Sequence, residues 1–463
     1  MDILLMKEGG MVELKRDIYQ ELIMWKKNDS GKVLELEGAR QTGKTFILDK
    51  FARENYQKYF YINMLQTSGA EYIACLEKAT KWEPGETRIE RPLHKAFELF
   101  DPEFADDKNT VVVIDEIQES AKVYSLIRQF ARDFECHFIV TGSYLGKTME
   151  NEYFLPAGDI EKLTLYTLSF EEFLDALEKR ELYEGVSLYG ESHHEQYDEL
   201  KSCYDIYCQI GGYPAVVRKY LETEDVEMCR ETMIEIIGIF IDESQRYFKD
   251  ILEVNLFEQI FPSIAQTMIR EKKGISDLIT ELSSIVYHED SGRTTKRSIN
   301  RVIGWLYRSH IIGFCGQAND ADPMAVSINR RFYFMDLGVC RNFLDMAGAD
   351  PATIRGILSE NFVYIDLVKR IKRRQIAGAA PMFGLYKDGE IDFILNNRKN
   401  YKNYGIEVKA GRAVGKTAQQ LLQDRKVEAV YFLKGDTYGG KSGRMITIPI
   451  YLVGRVKFDF INE

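Results

Sequence analysis

Gly38-Ala39-Arg40-Gln41-Thr42-Gly43-Lys44-Thr45 matches the pattern G-x-x-x-x-G-K-[ST] at every fixed position. The residues before it, Val33-Leu34-Glu35-Leu36, read as a short strand, and those after it, Phe46 to Ala52, read as a helix. A strand, a glycine-rich turn and a helix N-terminus together make an anion site. Backbone N–H groups freed by the turn point at a β-phosphate, and the helix dipole favours negative charge there. Lys44 is placed to reach the β/γ oxygens and Thr45 to ligate Mg²⁺. All eight residues are candidate nucleotide-binding residues, with ATP and Mg²⁺ as the implied cofactors.

The stretch Val111-Val112-Val113-Ile114-Asp115-Glu116 lies about 70 residues further on and supplies the second half of such a signature. An apolar strand delivers Asp115 to the metal shell, and Glu116 can orient or deprotonate an attacking water. The strand Phe138–Thr141 ends in Gly142-Ser143, which places Thr141 or Ser143 near a γ-phosphate as a sensor. Tyr59–Asn63, Val111–Ile114 and His137–Thr141 are near-continuous apolar runs separated by helical stretches. That alternation indicates an α/β fold with a parallel sheet covered by helices on both faces. Residues 12–30 read as an amphipathic helix leading to the first strand, and Leu163-Thr164-Leu165 reads as the last, closing a core at 1–166.

A chain of 463 residues exceeds what one core usually supports, so two to four domains are expected. Its 45% hydrophobic and 29% charged content is that of soluble globular proteins. The N-terminal residues have neither a signal-peptide core nor a membrane-spanning run, so no membrane partner is expected. Seven cysteines are scattered without a C-x-x-C pair, which argues against a zinc site of that type and for reduced thiols in a cytoplasmic protein. The net charge of −11 argues against the whole molecule binding a polyanion. From Glu360 to Glu463, however, 19 Lys and Arg stand against 11 Asp and Glu. A basic C-terminal module on an acidic body suggests that nucleic-acid contact resides in the tail, DNA before RNA; the alternative is that the module docks on its own acidic neighbour.

Residues 167–258 read as helical, interrupted by an acidic loop at 184–196 and a Gly211-Gly212-Tyr213-Pro214 turn. In 259–335, the helix Ser298–Leu306 is followed by Ile311–Phe314 and Arg331–Phe334, readable as a winged helix-turn-helix with its wing. Lys296, Arg297, Arg301 and Arg308 are placed to contact phosphates from that helix, although such a face also serves as a solvated lid or partner surface.

The segments GARQTGKT (38–45), IDEIQE (114–119), IVTGSYL (139–145) and LTLYTLSFEEFL (163–174), followed by QIGGYPAVV (209–217), give the chain a family likeness. It resembles the bacterial and archaeal AAA-like ATPases that carry a C-terminal domain of unknown function, related to the archaeal and signal-transduction branches of P-loop ATPases. The resemblance covers nearly the whole chain and implies ATP hydrolysis. One departure stands out. The family usually has Ala-Gly-Arg before the last core strand, where this chain has Ala157-Gly158-Asp159. An arginine that would sense or finger the γ-phosphate is therefore missing at 159, with Arg40, Arg128, Arg132 or a residue of a neighbouring subunit as substitutes. A homo-oligomer suits ATPases of this kind, but no apolar seam argues for a stoichiometry.

A second constellation lies in Gly389-Glu390-Ile391-Asp392-Phe393 and Gly405-Ile406-Glu407-Val408-Lys409, two runs separated by a polar turn. A hairpin of these runs projects Asp392, Glu407 and Lys409 from one end, and the two-residue spacing puts Glu407 and Lys409 on the same face. Two carboxylates can hold Mg²⁺, and the ammonium can stabilise phosphorane-like charge or position a water. Glu360 is a candidate third acid. Each acid is framed by core residues, where a charge is costly unless paired or metal-bound. The pattern is similar to the D…(D/E)-x-K site of restriction-endonuclease-like domains, which the family resemblance implies for residues 336–463. Two readings follow: ATP-controlled cleavage of DNA or RNA, or a nucleotide-dependent switch whose C-terminal domain binds nucleic acid or protein without cutting.

Overall fold

The computed structural model describes residues 6–7, 10–11, 13–81, 89–143, 158–248, 256–270, 282, 296–409 and 415–460. The chain forms two compact units, one of Arg16–Tyr166 with Arg308–His310, the other of the remaining residues.

Apart from a two-residue pair, β1 (Met6–Lys7) with β2 (Gly10–Met11), the strands fall into two sheets. In the first unit, β3 (Val33–Glu37), β4 (Lys58–Asn63), β5 (Thr110–Asp115), β6 (His137–Thr141) and β7 (Ile160–Thr164) form a sheet in the order β4-β5-β6-β3-β7. All four pairings are parallel. Alternation along a single strand explains the unbroken apolar run of β5. Val112 and Ile114 enter one core with Phe60, Ile62, Phe97 and Phe138. Val111 and Val113 enter the other with Leu34, Leu36, Leu48 and Phe51. Both faces are therefore covered, as expected of a P-loop sheet. The helix Ile18–Asn28 buries Ile18, Leu22 and Trp25 in the second of these cores.

The second unit holds an eight-stranded sheet. Its strands are β8 (Ile312–Ala318), β9 (Val326–Phe334), β10 (Met382–Tyr386), β11 (Gly389–Asn397), β12 (Lys402–Lys409), β13 (Ala429–Lys434), β14 (Gly440–Ser442) and β15 (Met445–Pro449). The order is β14-β15-β13-β12-β11-β10-β8-β9. The strands expected as a wing are β8 and β9, which pair antiparallel, but β8 also pairs with β10 along Met382–Gly384. The boundary expected at 335/336 therefore cuts through a continuous sheet, and residues 167–258, 259–335 and 336–463 share one compact unit. Asp336 adds to that continuity. It caps the helix Leu337–Met346 and accepts the Gly212 N–H at 2.9 Å. The Gly-Gly turn is required here because Gly211 has φ +69° and a Cβ on Gly212 would lie 2.2 Å from the Leu168 carbonyl. The helix Pro351–Lys372 precedes β10, and the helix Lys416–Gln423 lies between β12 and β13.

Candidate functional site

The phosphate loop begins where β3 ends. Gly38 has φ +152°, and a Cβ there would lie 2.1 Å from the Leu165 carbonyl oxygen, so only glycine passes this point. Gln41 is left-handed at φ 60° and Gly43 at φ 93°, immediately before the helix Lys44–Asn55. The Thr42 hydroxyl donates to Ala39 O at 2.8 Å. Lys44 folds back over the loop, its ammonium 2.9 Å from Gly38 O and 2.8 Å from Ala39 O. Burial pulls its pKa down to about 8, against the opposing pull of Glu116 and Asp115, while Arg40 adds to the lowering.

Asp115 lies at the end of β5. Its Oδ2 accepts from the Thr45 hydroxyl at 2.9 Å and the Tyr61 hydroxyl at 2.7 Å. Thr45 and Asp115, expected as metal ligands, are therefore already adjacent. Glu116 adopts φ 51° and turns its carboxylate across to the end of β6, where the Ser143 hydroxyl donates at 2.9 Å and the Ser143 N–H at 3.3 Å. Gln118 Nε2 donates to the same carboxylate at 2.5 Å. Of the two sensor candidates, Ser143 faces Glu116, whereas Thr141 is buried and donates to Leu36 O.

Strand direction bears on three of the arginine candidates. Asp159 lies at the start of β7, where its carbonyl accepts the Val33 N–H. Val33 opens β3 and the phosphate loop follows its far end, about 16 Å away for five residues of strand. Arg128 and Arg132 each place Nε 3.1 Å from the Asp159 carboxylate. Position 159, with Arg128 and Arg132 gathered on it, therefore lies at the opposite end of the sheet from this chain's own phosphate loop.

The second cluster sits on β11 and β12. Phe393 pairs with Ile406, which sets Asp392 opposite Glu407. Asp392 Oδ2 accepts the Val408 N–H at 2.6 Å. Lys409 Nζ lies 2.8 Å from Glu407 Oε1 and 3.8 Å from Asp392 Oδ2. Glu407 is 4% exposed, and its Oε2 is buried with no hydrogen-bond partner among the described residues. Burial and the neighbouring Asp392 charge push its carboxyl up to about 7. Burial also raises Asp392, against the pull of Lys409. Lys409 is itself raised, because Asp392 and Glu407 outweigh the effect of burial.

Glu360, on the helix Pro351–Lys372, lies near enough to feel the Asp392 charge. Burial and the Asp392 charge push it up to about 7, and the Tyr333 hydroxyl donates to it. Arg331 lies 2.6 Å from Glu390 and 3.8 Å from Glu360, with its guanidinium 4.1 Å above the Phe383 ring. A cavity of about 300 Å³ opens between Arg331, Tyr333, Glu360, Glu390 and Asp392. Among the described residues no three acidic, histidine or cysteine side chains are grouped to hold a metal ion. Asp392 and Glu407 thus form a carboxylate pair, with Glu360 tied to Tyr333 and Arg331 rather than closing a three-acid shell. The hard oxygen donors and the orphaned Glu407 Oε2 fit an oxygen-seeking divalent cation.

Sequence reasoning missed Tyr61, Gln118, Arg331, Tyr333 and Glu390. Two carried a signal: Gln118 lies inside IDEIQE, and Glu390 is two residues from Asp392, hence on the same strand face. Arg331 comes from a strand about 60 residues upstream and had none. The basic residues of the helix Lys296–Arg308 divide. Arg297 and Arg301 are exposed, the latter over the Phe248 ring, while Arg308 belongs to the first unit, and the Lys296 side chain lies outside the described residues.

Residues 30–174 match the AAA domain family. That match spans both halves of the nucleotide signature and supports ATP binding and hydrolysis by the AAA module. Over a longer stretch, an uncharacterized protein of Haemophilus influenzae is 21% identical across 387 residues, 82% of this chain and 83% of that one. Among solved structures, a Walker-type ATPase of Pyrococcus abyssi aligns at TM-score 0.46 and 13% identity, covering 72% of this chain and 96% of the other. The Aeropyrum pernix ORC2 protein in its ADPNP–ADP complexes aligns at TM-score 0.35 and 13% identity over 74% and 96%. The Aeropyrum pernix ORC1 protein in complex with DNA aligns at 0.31 and 14% over 76% and 94%. No helix among the described residues is long and apolar enough to cross a membrane.

Proposed function

We propose that ATP binding and hydrolysis by the AAA module control a Mg²⁺-dependent phosphodiesterase site at Asp392, Glu407 and Lys409, acting on DNA or RNA. In the first site, the loop N–H groups and Lys44 bind the phosphates, Thr45 and Asp115 would hold Mg²⁺, and Glu116 holds the attacking water, steadied by Ser143 and Gln118. In the second, Asp392 and Glu407 would hold Mg²⁺, which when bound polarises the scissile phosphate and lowers the pKa of water. Lys409 neutralises charge that develops on the phosphate. Glu360 is a further acid beside Asp392, positioned by Tyr333 and Arg331.

The observation that carries this reading is the Asp392–Glu407–Lys409 group with its orphaned carboxylate oxygen, a costly arrangement unless a cation completes it. The order of elements around it, helix, three strands, helix, strand, is also what the D…(D/E)-x-K resemblance leads one to expect. The test is cleavage of plasmid and single-stranded DNA and of RNA with Mg²⁺ or Mn²⁺ in wild type, Asp392→Ala and Lys409→Ala. Cleavage lost in both variants supports the assignment. Cleavage that persists in both refutes the site, and retained nucleic-acid binding without cleavage by the wild type favours a switch that binds without cutting.

A further inference from the structure

Arg16 lies outside both nucleotide motifs, yet its guanidinium bridges a backbone carbonyl within the phosphate loop and another just after β7. One N–H group donates to Thr42 O at 2.9 Å and another to Tyr166 O at 2.6 Å. Tyr166 is the last residue of the first unit's main segment and Arg16 the first. The loop is pressed against the same exit strand elsewhere, because Leu165 N donates to Glu37 O and the Leu165 carbonyl leaves no room for a side chain at Gly38.

The Thr42 carbonyl and the Gly43 N–H belong to one planar trans peptide, so they point in opposite directions. A group that holds Thr42 O on the outer side of the loop therefore aims the Gly43 N–H at the inner side. A cationic donor on the carbonyl also polarises the peptide and strengthens the N–H as a donor. The Thr42 side chain leaves this carbonyl free for Arg16, since its own hydroxyl is engaged with Ala39 O. Gly43 is left-handed and lacks a side chain that could fix the peptide in another way.

We propose that Arg16 is a positioning residue for phosphate binding, orienting the Thr42–Gly43 peptide so that Gly43 N–H meets the β-phosphate. This rests on the reading of the loop as an ATP site. Lysine replaces the planar fork with a single point charge and can hold one carbonyl well but not both.

The test compares ATP, ADP and AMP binding to the full chain in wild type, Arg16→Gln, Arg16→Lys and Lys44→Ala, by calorimetry for the first two ligands and ligand-observed NMR for AMP. Arg16→Gln is expected to weaken ATP and ADP about tenfold each, with AMP, which has no β-phosphate, changed less than about twofold. Arg16→Lys is expected to recover part of the loss. Unchanged ATP and ADP affinities in Arg16→Gln overturn the proposal. So does an equal loss for AMP, which a general distortion of the unit would produce. If Arg16→Gln does not fold, the same comparison is made on Arg16→Met, which keeps an unbranched stem and removes every donor; selective weakening of ATP and ADP there supports the role and unchanged affinities refute it. Lys44→Ala separates the two levels. Wild-type ATP affinity in that variant defeats the ATP-site reading itself, whereas its loss alongside normal binding in the Arg16 variants defeats only the role of Arg16.

Discussion

Replacing Glu407 with glutamine should make the apo protein more stable at alkaline pH. Glu407 is 4% exposed, and burial with the Asp392 charge moves its pKa from 4.5 to about 7. An acid that holds its proton more tightly folded than unfolded gives a stability term fully present below the unfolded value. That term is lost as pH rises from about 4.5 to about 7 and stays absent above. A shift of about 2.5 units at 1.36 kcal/mol each puts the penalty of the ionised group at ~3 kcal/mol at pH 8. Glutamine removes that penalty but leaves Lys409 with Asp392 alone at 3.8 Å. The 2.8 Å contact to Lys409 needs no separate allowance, because its pull on the Glu407 carboxylate is already part of the shift to about 7. The net expectation is a stabilisation of ~3 kcal/mol at pH 8 and under about 1 kcal/mol at pH 5. Calorimetry in EDTA reads it as a rise of a few degrees at pH 8 and a much smaller one at pH 5, since a unit larger than 250 residues shifts by about 2 °C or less per kcal/mol. Mg²⁺ should then raise the Tm of the wild type at pH 8 and that of Glu407→Gln much less, since a ligand that binds only the folded state stabilises it. A lower Tm for Glu407→Gln at pH 8 in EDTA would refute the electrostatic reasoning. An undiminished Mg²⁺ shift would remove Glu407 from the metal site.

Three further outcomes are expected. Glu116→Gln should cut the ATP hydrolysis rate by about 100-fold or more while ATP affinity by calorimetry stays near wild type, because the carboxylate held by Ser143 and Gln118 is not the one beside Thr45. Gly38→Ala should abolish ATP binding and lower the Tm of the first unit by several degrees, since its Cβ collides with the Leu165 carbonyl; normal binding would show that the loop can move aside. Asp159→Ala should leave the hydrolysis rate unchanged and slightly lower the Tm, because it frees Arg128 and Arg132 at the end of the sheet away from the loop. A large loss of turnover in that variant would reinstate position 159 in the phosphate chemistry.

The AAA module was the most legible part of the sequence because its information is local. Each strand is a run of apolar residues, each turn carries its glycine, and the two nucleotide motifs sit at strand ends. What escaped was contact across the sheet. Tyr61 meets Asp115 only because β4 and β5 lie side by side in register, and no spacing along the chain announces that. The place of Asp159 escaped for a related reason. Family likeness supplied an expected arginine there, but only strand polarity shows that the position starts β7 while the loop ends β3. In the second unit, the pairing of Glu407 with Lys409 followed from period-2 alternation. The place of β8 and β9 did not, since a short amphipathic hairpin after a helix fits a wing as well as a sheet edge. The Met382–Gly384 pairing that joins it to β10 spans about 65 residues of chain.

That misplaced hairpin bears on the chemistry. Arg331 enters from β9, outside the helix-strand order that the D…(D/E)-x-K pattern describes, and supplies the positive charge beside Glu360 and Glu390. With Lys409 on the other side, two cations face four carboxylates, Glu360, Glu390, Asp392 and Glu407, so the cluster is two charges short when all four are ionised. Burial first, and the Asp392 charge second, push Glu360 and Glu407 up to about 7, so these carboxyls hold their protons more tightly. A divalent cation would make up that deficit and release the protons. The nucleotide site is built on the opposite balance. Asp115 Oδ2 is already satisfied by Thr45 and Tyr61, and Lys44 is buried against backbone carbonyls with its pKa lowered. There an incoming triphosphate would supply the negative charge, and a metal would follow it. In the second site the negative charge is resident, so metal should bind before any phosphodiester. Divalent-ion affinity measured without nucleic acid should therefore be lost in Asp392→Ala and retained in Lys44→Ala, and the reverse pattern would contradict this assignment of charge.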